Sequence, residues 1–273
     1  MSLLEKTKFL LRKHRILPNK LLGQNFMVES SIFQNMANCA EVDRSDVILD
    51  IGAGLGFLTQ SLAAKCRSVL AVESDAKLVQ ILLEQLGNLS NVSVIHGDVL
   101  RVPISDFNKV VSVPPYNISS HLLLWLFNRK FDRAVLILQK EFVDRLVAPL
   151  GSEHYGWLAV VAYYYVNVEL LDDVPRWMFY PQPEVDSIIV RLEPKSLHPF
   201  NLKDEVRFKQ FAQSLFTRRN RKVRNAIVSF IRSSRTSDAE RVLEIVESFP
   251  FRDKRVRELA PEDFGALFNA VIG

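Results

Sequence analysis

Four places in this 273-residue chain set chemistry-bearing residues at spacings that can build a site. The first is Asp50-Ile51-Gly52-Ala53-Gly54-Leu55-Gly56, directly after a short apolar run and before a helical pattern. Glycines here let the backbone pass close to a ligand and turn sharply into a helix, whose first N–H groups are free. A dinucleotide fingerprint would place a further glycine where Phe57 stands. The Gly-x-Gly-x-Gly spacing makes less provision for a pyrophosphate and fits a small adenosyl ligand. The second and third places are carboxylates. Glu73 closes the next apolar run, where a carboxylate accepts hydrogen bonds from both ribose hydroxyls. Asp98, in His96-Gly97-Asp98-Val99, follows a third run, where it can accept from the exocyclic amine of a cofactor adenine. Asp75 reads instead as a helix cap.

The fourth place is Val113-Pro114-Pro115-Tyr116. Two prolines fix the backbone and remove two N–H donors, so carbonyl oxygens point outward. The tyrosine that follows can stack on a flat base. This suits methylation of an aromatic amine. The lone pair of an adenine amine is delocalised into its ring. Fixed oxygens that accept its N–H bonds favour a pyramidal nitrogen able to attack a methyl sulfonium, and preorganised acceptors help most where charge develops. The four places together point to S-adenosylmethionine as cofactor and adenine as acceptor, with no metal implied.

These residues need a frame. Strand patterns are expected at 47–51, 68–73, 92–96, 109–113 and 133–138, with helices at 57–65, 76–86 and 120–128 between them. That alternation implies an α/β fold, a doubly wound, mostly parallel sheet covered on both faces, with ligands at the C-terminal strand ends. A late strand, Val185 to Leu192, is expected at the sheet edge. Upstream, a basic helix from Leu3 to Arg15 is stopped by Pro18, and Ser30 or Ser31 caps a second. Beyond a linker at Ser196 to Asn201 only helical periodicity remains, at 208–216, 223–231, 239–246 and 261–271. The expected division is a methyltransferase domain with a basic N-terminal extension, 1–195, and a small all-helical domain, 196–273.

The net charge is only +4, but it is clustered. Basic groups gather at Lys6 to Lys20, at Arg218, Arg219, Arg221, Lys222 and Arg224, and at Arg252 to Arg257. Basic ends on a near-neutral centre point to an enzyme body with polyanion-binding flanks. If the second cluster is helical, Arg218, Arg221 and Lys222 share a face. No run is long and apolar enough for a membrane span, and the N-terminus lacks a signal-peptide pattern. With Cys39 and Cys66 as the only cysteines, no disulfide framework is expected. Cytoplasmic location and a monomer are the expectations.

The chain resembles the ribosomal RNA adenine dimethyltransferases, which modify two adjacent adenines near the 3′ end of small-subunit rRNA. The resemblance runs over nearly the whole chain. It is carried by Leu22-Gly23-Gln24-Asn25-Phe26, Asp50 to Gly56, Val72-Glu73, Gly97-Asp98, Pro115-Tyr116 with Ile118-Ser119, and Gln139-Lys140-Glu141 with Arg145. It continues through Tyr155-Gly156, Phe179 to Pro183 with Val185 and Ser187, and the basic run from Phe216 to Asn225. The resemblance implies a Rossmann-like class I methyltransferase fold. It also implies that Asn25 and Met27 close over the methionine end of the cofactor, and that Gly52 contacts the cofactor through backbone. Glu73 then binds the ribose, Asp98 the cofactor adenine, and Val113 borders the cofactor and the reacting amine. Tyr116 stacks on the target base, with Phe179 a second stacking candidate. The partner implied is small-subunit rRNA within the assembling subunit, gripped by the Arg218 to Arg224 run.

One departure is clear. The family begins its tetrad with asparagine, and here Val113 stands in its place. Valine cannot accept a hydrogen bond, so only a Pro114 carbonyl remains obvious for the amine. Ser112 should point away by strand alternation. The loss is compatible with intact, slowed, single-step or absent transfer, and activity is the expectation adopted. The competing readings are a small-subunit assembly factor with weak or no catalysis and a DNA adenine methyltransferase. The Leu22 to Phe26 segment and the helical tail argue against the latter.

Overall fold

The computed structural model describes residues 1–19, 22–234, 244 and 246–272. Lys20 and most of the helix expected at 239–246 lie outside them. The chain divides into two compact units, Met1–Val143 with Val168–Pro194, and Asp144–Asn167 with Lys195–Gly273.

The first unit is built on a seven-stranded sheet. Its members are β2 (Val47–Ile51), β3 (Ser68–Glu73), β4 (Val92–His96), β5 (Lys109–Ser112), β6 (Arg133–Gln139), β7 (Val166–Val174) and β9 (Ser187–Pro194). Their order is β4-β3-β2-β5-β6-β9-β7. The first five pair in parallel, and β9 pairs antiparallel with β6. The sheet is therefore mostly parallel, as the alternation predicted. Its inner strands are continuous apolar runs because both faces are covered. Helices α2 (Ser30–Cys39), α3 (Phe57–Ala63), α4 (Ala76–Leu86) and α5 (Ser119–Leu126) belong to the same unit. The strand order changes direction between β2 and β5, so the crevice for a ligand opens where Gly52 and Val113 leave their strands.

The late strand β9 is not at the edge, because β7 lies outside it. Strand β7 was not foreseen: its burial alternates poorly, with most central residues open to solvent. The basic helix α1 (Leu3–Lys13) ends before Pro18 is reached, in a turn where Arg15 takes φ 53°. Helix α2 is capped by Glu29, whose carboxylate accepts from Ser31 N, rather than by a serine. A two-residue pair, β1 (Phe26–Met27) with β8 (Phe179–Tyr180), joins segments far apart in the chain and has no local signal.

The second unit is helical, with α7 (Trp157–Tyr165), α8 (Glu205–Phe216), α9 (Val223–Ser234) and α10 (Pro261–Ile272). It starts at Lys195, close to the expected boundary, but it also takes in Asp144–Asn167. The cause is visible in α7, which is apolar on all sides and must be enclosed. Tyr155, Ala159 and Val160 share a core with Phe208, Phe211 and Phe268, and Tyr155 Oη donates to Leu259 O at 2.9 Å. Among the described residues no helix is long and apolar enough to cross a membrane.

Candidate active site

Two adjoining cavities open at the C-terminal ends of β2 and β5, sharing Asn25, Phe26, Gly52, Gly54 and Val113 on their walls. The first adds Met27, Phe33, Asp50 and Phe57. The second adds Glu73, Ser74, Pro114, Pro115 and Tyr116.

The glycine turn makes the floor. Gly52, Gly54 and Gly56 have φ of 71°, 59° and 83°, a region that side chains disfavour. At Gly52 space is also decisive, since a Cβ would fall 2.7 Å from Pro115 Cδ. The glycine turn and the proline strap are thus in direct contact. Gly52 N and Ala53 N both donate to Val72 O, which anchors the turn on β3.

Glu73 is 7% exposed. Its carboxylate accepts from Gly54 N at 3.0 Å on one oxygen, and from Ser74 N at 2.7 Å and Asp75 N at 2.9 Å on the other. Burial raises its pKa, and these amides oppose the rise. A carboxylate so fixed keeps one acceptor position, on the oxygen that holds Gly54 N, for a ribose hydroxyl. Asp75 caps α4 through Lys77 N, as foreseen, and its other oxygen takes Gln24 Nε2 at 2.8 Å. That bond ties the Leu22 to Phe26 loop to the site. Asn25 uses its carboxamide nitrogen on Gly23 O at 3.3 Å. Asp98 is not on the wall of either cavity. It sits past β4, accepting from Leu100 N at 3.0 Å with Arg101 Nε at 3.4 Å.

Tyr116 hydrogen-bonds Ser187 Oγ through its hydroxyl at 2.7 Å. Burial pushes the phenol up to about 12 despite that bond, so it stays neutral at working pH. Phe179 is 2% exposed and lines neither cavity. It meets Tyr116 edge-on, centroids 6.3 Å apart, so here it braces the tyrosine from within the core. Ser112 is fully buried, donating to Ile51 O at 2.6 Å and accepting from Ile51 N at 3.0 Å. It stitches β5 to β2 and does not replace the missing acceptor at position 113.

The sequence reading gave Asp50 no role, although its place before the glycines was the available signal. Asp50 is 1% exposed, borders the first cavity and accepts from Thr59 Oγ1 at 2.7 Å. Burial raises its carboxyl from 3.8 to about 7, with Thr59 pulling the other way and Glu73 adding to the rise. Between these values the folded chain holds a proton that the unfolded chain has released. Stability from this group is therefore lost as pH rises from about 4 through about 7. Glu73 contributes with the same sign. Asp50→Asn is expected to raise the melting temperature at pH 8 relative to pH 5 by about 5 °C, compared with the same difference for the unmodified chain. Thermal melts at the two pH values check this; an unchanged difference contradicts it.

The basic run lies in the second unit, and its conformation differs from expectation. Residues 217–220 form turns between α8 and α9, so Arg218, Arg221 and Lys222 do not share a helix face. The segment Thr217 to Lys222 has no apolar residue to pack, and a helix without a buried face is weakly held. Arg218 and Arg221 are exposed and have no acidic partner among the described residues. Arg219 donates to Glu153 O at 2.9 Å. Lys222 and Arg224 are both drawn to Asp253, at 2.9 and 3.5 Å.

A family model described as "Ribosomal RNA adenine dimethylase" matches residues 17–261. A protein of Methanosarcina acetivorans named "Probable ribosomal RNA small subunit methyltransferase A" is 38% identical over 248 residues, 90% of this chain and 91% of its own. One of the same name from Methanopyrus kandleri is 38% identical over 274 residues, 99% of this chain and 98% of its own. Among solved structures, a dimethyladenosine transferase from Plasmodium falciparum superposes with TM-score 0.75 at 25% identity, covering 89% of this chain and 95% of that one. The fold is shared with the 23S rRNA methyltransferase ErmE, TM-score 0.65 at 24% identity, over 91% of this chain and 100% of that one. The sheet order, the glycine turn facing Pro-Pro-Tyr and these likenesses converge: the fold is that of Rossmann-like class I methyltransferases, and the chain belongs to the ribosomal RNA adenine dimethylase family.

Proposed function

We propose that this chain uses S-adenosylmethionine to dimethylate the exocyclic amines of two adjacent adenosines near the 3′ end of small-subunit rRNA. The observation that carries it is the contact of the two motifs: the Gly52 turn with Glu73 and the Val113 to Tyr116 strap face one another across shared walls. The relatives named as small-subunit rRNA methyltransferases support the choice of RNA.

The residues present fit the cofactor. The fixed, buried Glu73 carboxylate suits a ribose hydroxyl, and the side-chain-free glycine floor leaves room for close backbone approach. When bound, the cofactor supplies an electrophilic methyl group. Everything else is the work of the chain. Asn25 and Met27 hold the methionine end, and Asp98, past β4, takes the adenine amine. Tyr116 stacks on a target base drawn out of its helix, and the Pro114 carbonyl accepts an amine N–H. The released proton passes to solvent, since an amine that has just gained a methyl group is acidic.

Arg218, Arg219, Arg221, Lys222 and Arg224 grip phosphates in this reading. The pairing with Asp253 ranks them. Arg218→Ala and Arg221→Ala are each expected to lower the salt dependence of subunit binding by about one counterion. Lys222→Ala and Arg224→Ala should have smaller effects. Binding titrations at several salt concentrations read this, and equal slopes across the four variants would overturn the ranking. The enzyme is taken to work as a cytoplasmic monomer on assembling subunits. The functional test offers labelled S-adenosylmethionine with either unmodified small subunits or adenine-containing duplex DNA. Transfer to subunits alone supports the proposal. Transfer to DNA alone, or subunit binding with no transfer, replaces it with a DNA methyltransferase or an assembly factor.

A further inference from the structure

Val113 lines both cavities, between the glycine floor and the proline strap. It faces the place where the acceptor amine must sit if the proposed function holds, and the inference rests on that reading. Several polar groups around it already hold protein partners. Ser112 is tied to Ile51, Glu73 holds three backbone amides, and the Asn25 amide nitrogen donates to Gly23. The Pro114 carbonyl, by contrast, accepts no hydrogen bond from the described residues and is available.

We infer that Val113 makes this site prefer N6-monomethyladenine over unmodified adenine, so that the second methyl transfer is intrinsically faster than the first. In each transfer the amine lone pair attacks the methyl carbon, the C–S electrons return to sulfur, and one N–H proton leaves to solvent. A pyramidal amine points its lone pair at the methyl donor and its two substituents at two positions on the protein. One is the Pro114 carbonyl. The other is Val113. In the first transfer both substituents are hydrogens, and one N–H is pressed against an isopropyl group with no acceptor, which is unfavourable for a buried donor. In the second transfer the substituents are one hydrogen and one methyl. The hydrogen takes the Pro114 carbonyl, and the methyl meets valine as an apolar contact. An asparagine at the same position would supply the second acceptor and remove the preference.

The test is single-turnover methyl transfer to two preparations of small subunits, one unmodified and one carrying monomethyladenine at the target positions. A parallel reading, with no methyl donor present, is the binding of short target RNAs of both kinds by fluorescence anisotropy. The expected result is transfer about tenfold faster to the monomethyl substrate, a difference of about 1.4 kcal/mol. Tighter binding of the monomethyl RNA and no accumulation of monomethyl product accompany it. Val113→Asn should bring the two rates within about twofold by speeding the first transfer. Val113→Ala, which keeps the site apolar, should retain the preference and covers the case in which the asparagine variant does not fold. Equal rates and equal binding in the unmodified protein, or an unchanged ratio in a folded Val113→Asn, overturn the inference and leave the proposed function standing. No transfer to either substrate overturns both.

Discussion

Gly52→Ala is expected to weaken S-adenosylmethionine binding by at least about a hundredfold and to lower the melting temperature. Two effects combine. At φ 71° a side chain costs about 1–2 kcal/mol of backbone strain. The new Cβ would also lie 2.7 Å from Pro115 Cδ, so the proline strap must retreat. Pro115 is held between Gly52 and the Gly23 loop, whose own Cβ position is 3.3 Å from Tyr116 N. Moving it displaces the glycine floor, the Pro114 carbonyl and Tyr116 together. Gly151→Ala is the matched control. Gly151 has φ 86° but nothing within 4 Å of its Cβ position, so it reports strain without overlap. Calorimetric titration of both variants, with melts, separates the two effects. A Gly52→Ala protein that binds the cofactor as the control does would contradict the close contact.

Tyr116→Ala should reduce kcat/KM on small subunits by about 10–100-fold, the range for loss of one base-stacking aromatic. Cofactor affinity should hold within about threefold, because the residues proposed to hold the ribose and methionine lie elsewhere. Tyr116→Phe keeps the ring and removes the hydroxyl that meets Ser187 Oγ, itself fully buried. An unpaired serine there costs about 1–3 kcal/mol of stability. The ring should still stack, so activity is expected to stay within about tenfold while the melting temperature drops. If instead phenylalanine were as damaging to turnover as alanine, the tyrosine hydroxyl would be acting on the amine and the stacking account would fail.

Much of this site was legible because its parts are local. The strand from Val47 to Ile51, the glycines after it and Glu73 at the end of β3 are read within a few residues each, and parallel strands position them without further instruction. The Val113 departure was legible for the same reason. What escaped was non-local. The pairing of Phe26–Met27 with Phe179–Tyr180 and the bond from Tyr116 to Ser187 each join residues far apart in the chain, and no spacing rule encodes them. Phe179 illustrates the consequence. Its type fitted a stacking role, but the pairing buries it behind Tyr116. The Arg218 to Lys222 segment failed differently, because charge spacing was read as helical where no apolar face exists to hold a helix. The segment before α7 was misplaced because an all-apolar helix declares that it is buried, not in which unit.

The central claim is that the contact between the Gly52 turn and the Pro-Pro-Tyr strap serves methyl transfer to adenine in small-subunit rRNA. The most direct measurement incubates the purified chain with S-adenosylmethionine and unmodified small subunits, digests the rRNA to nucleosides and quantifies them by mass spectrometry. The account predicts N6-dimethyladenosine appearing at about two per subunit, with little monomethyl product at any time. Subunits that bind the chain but yield no methylated adenosine would contradict it.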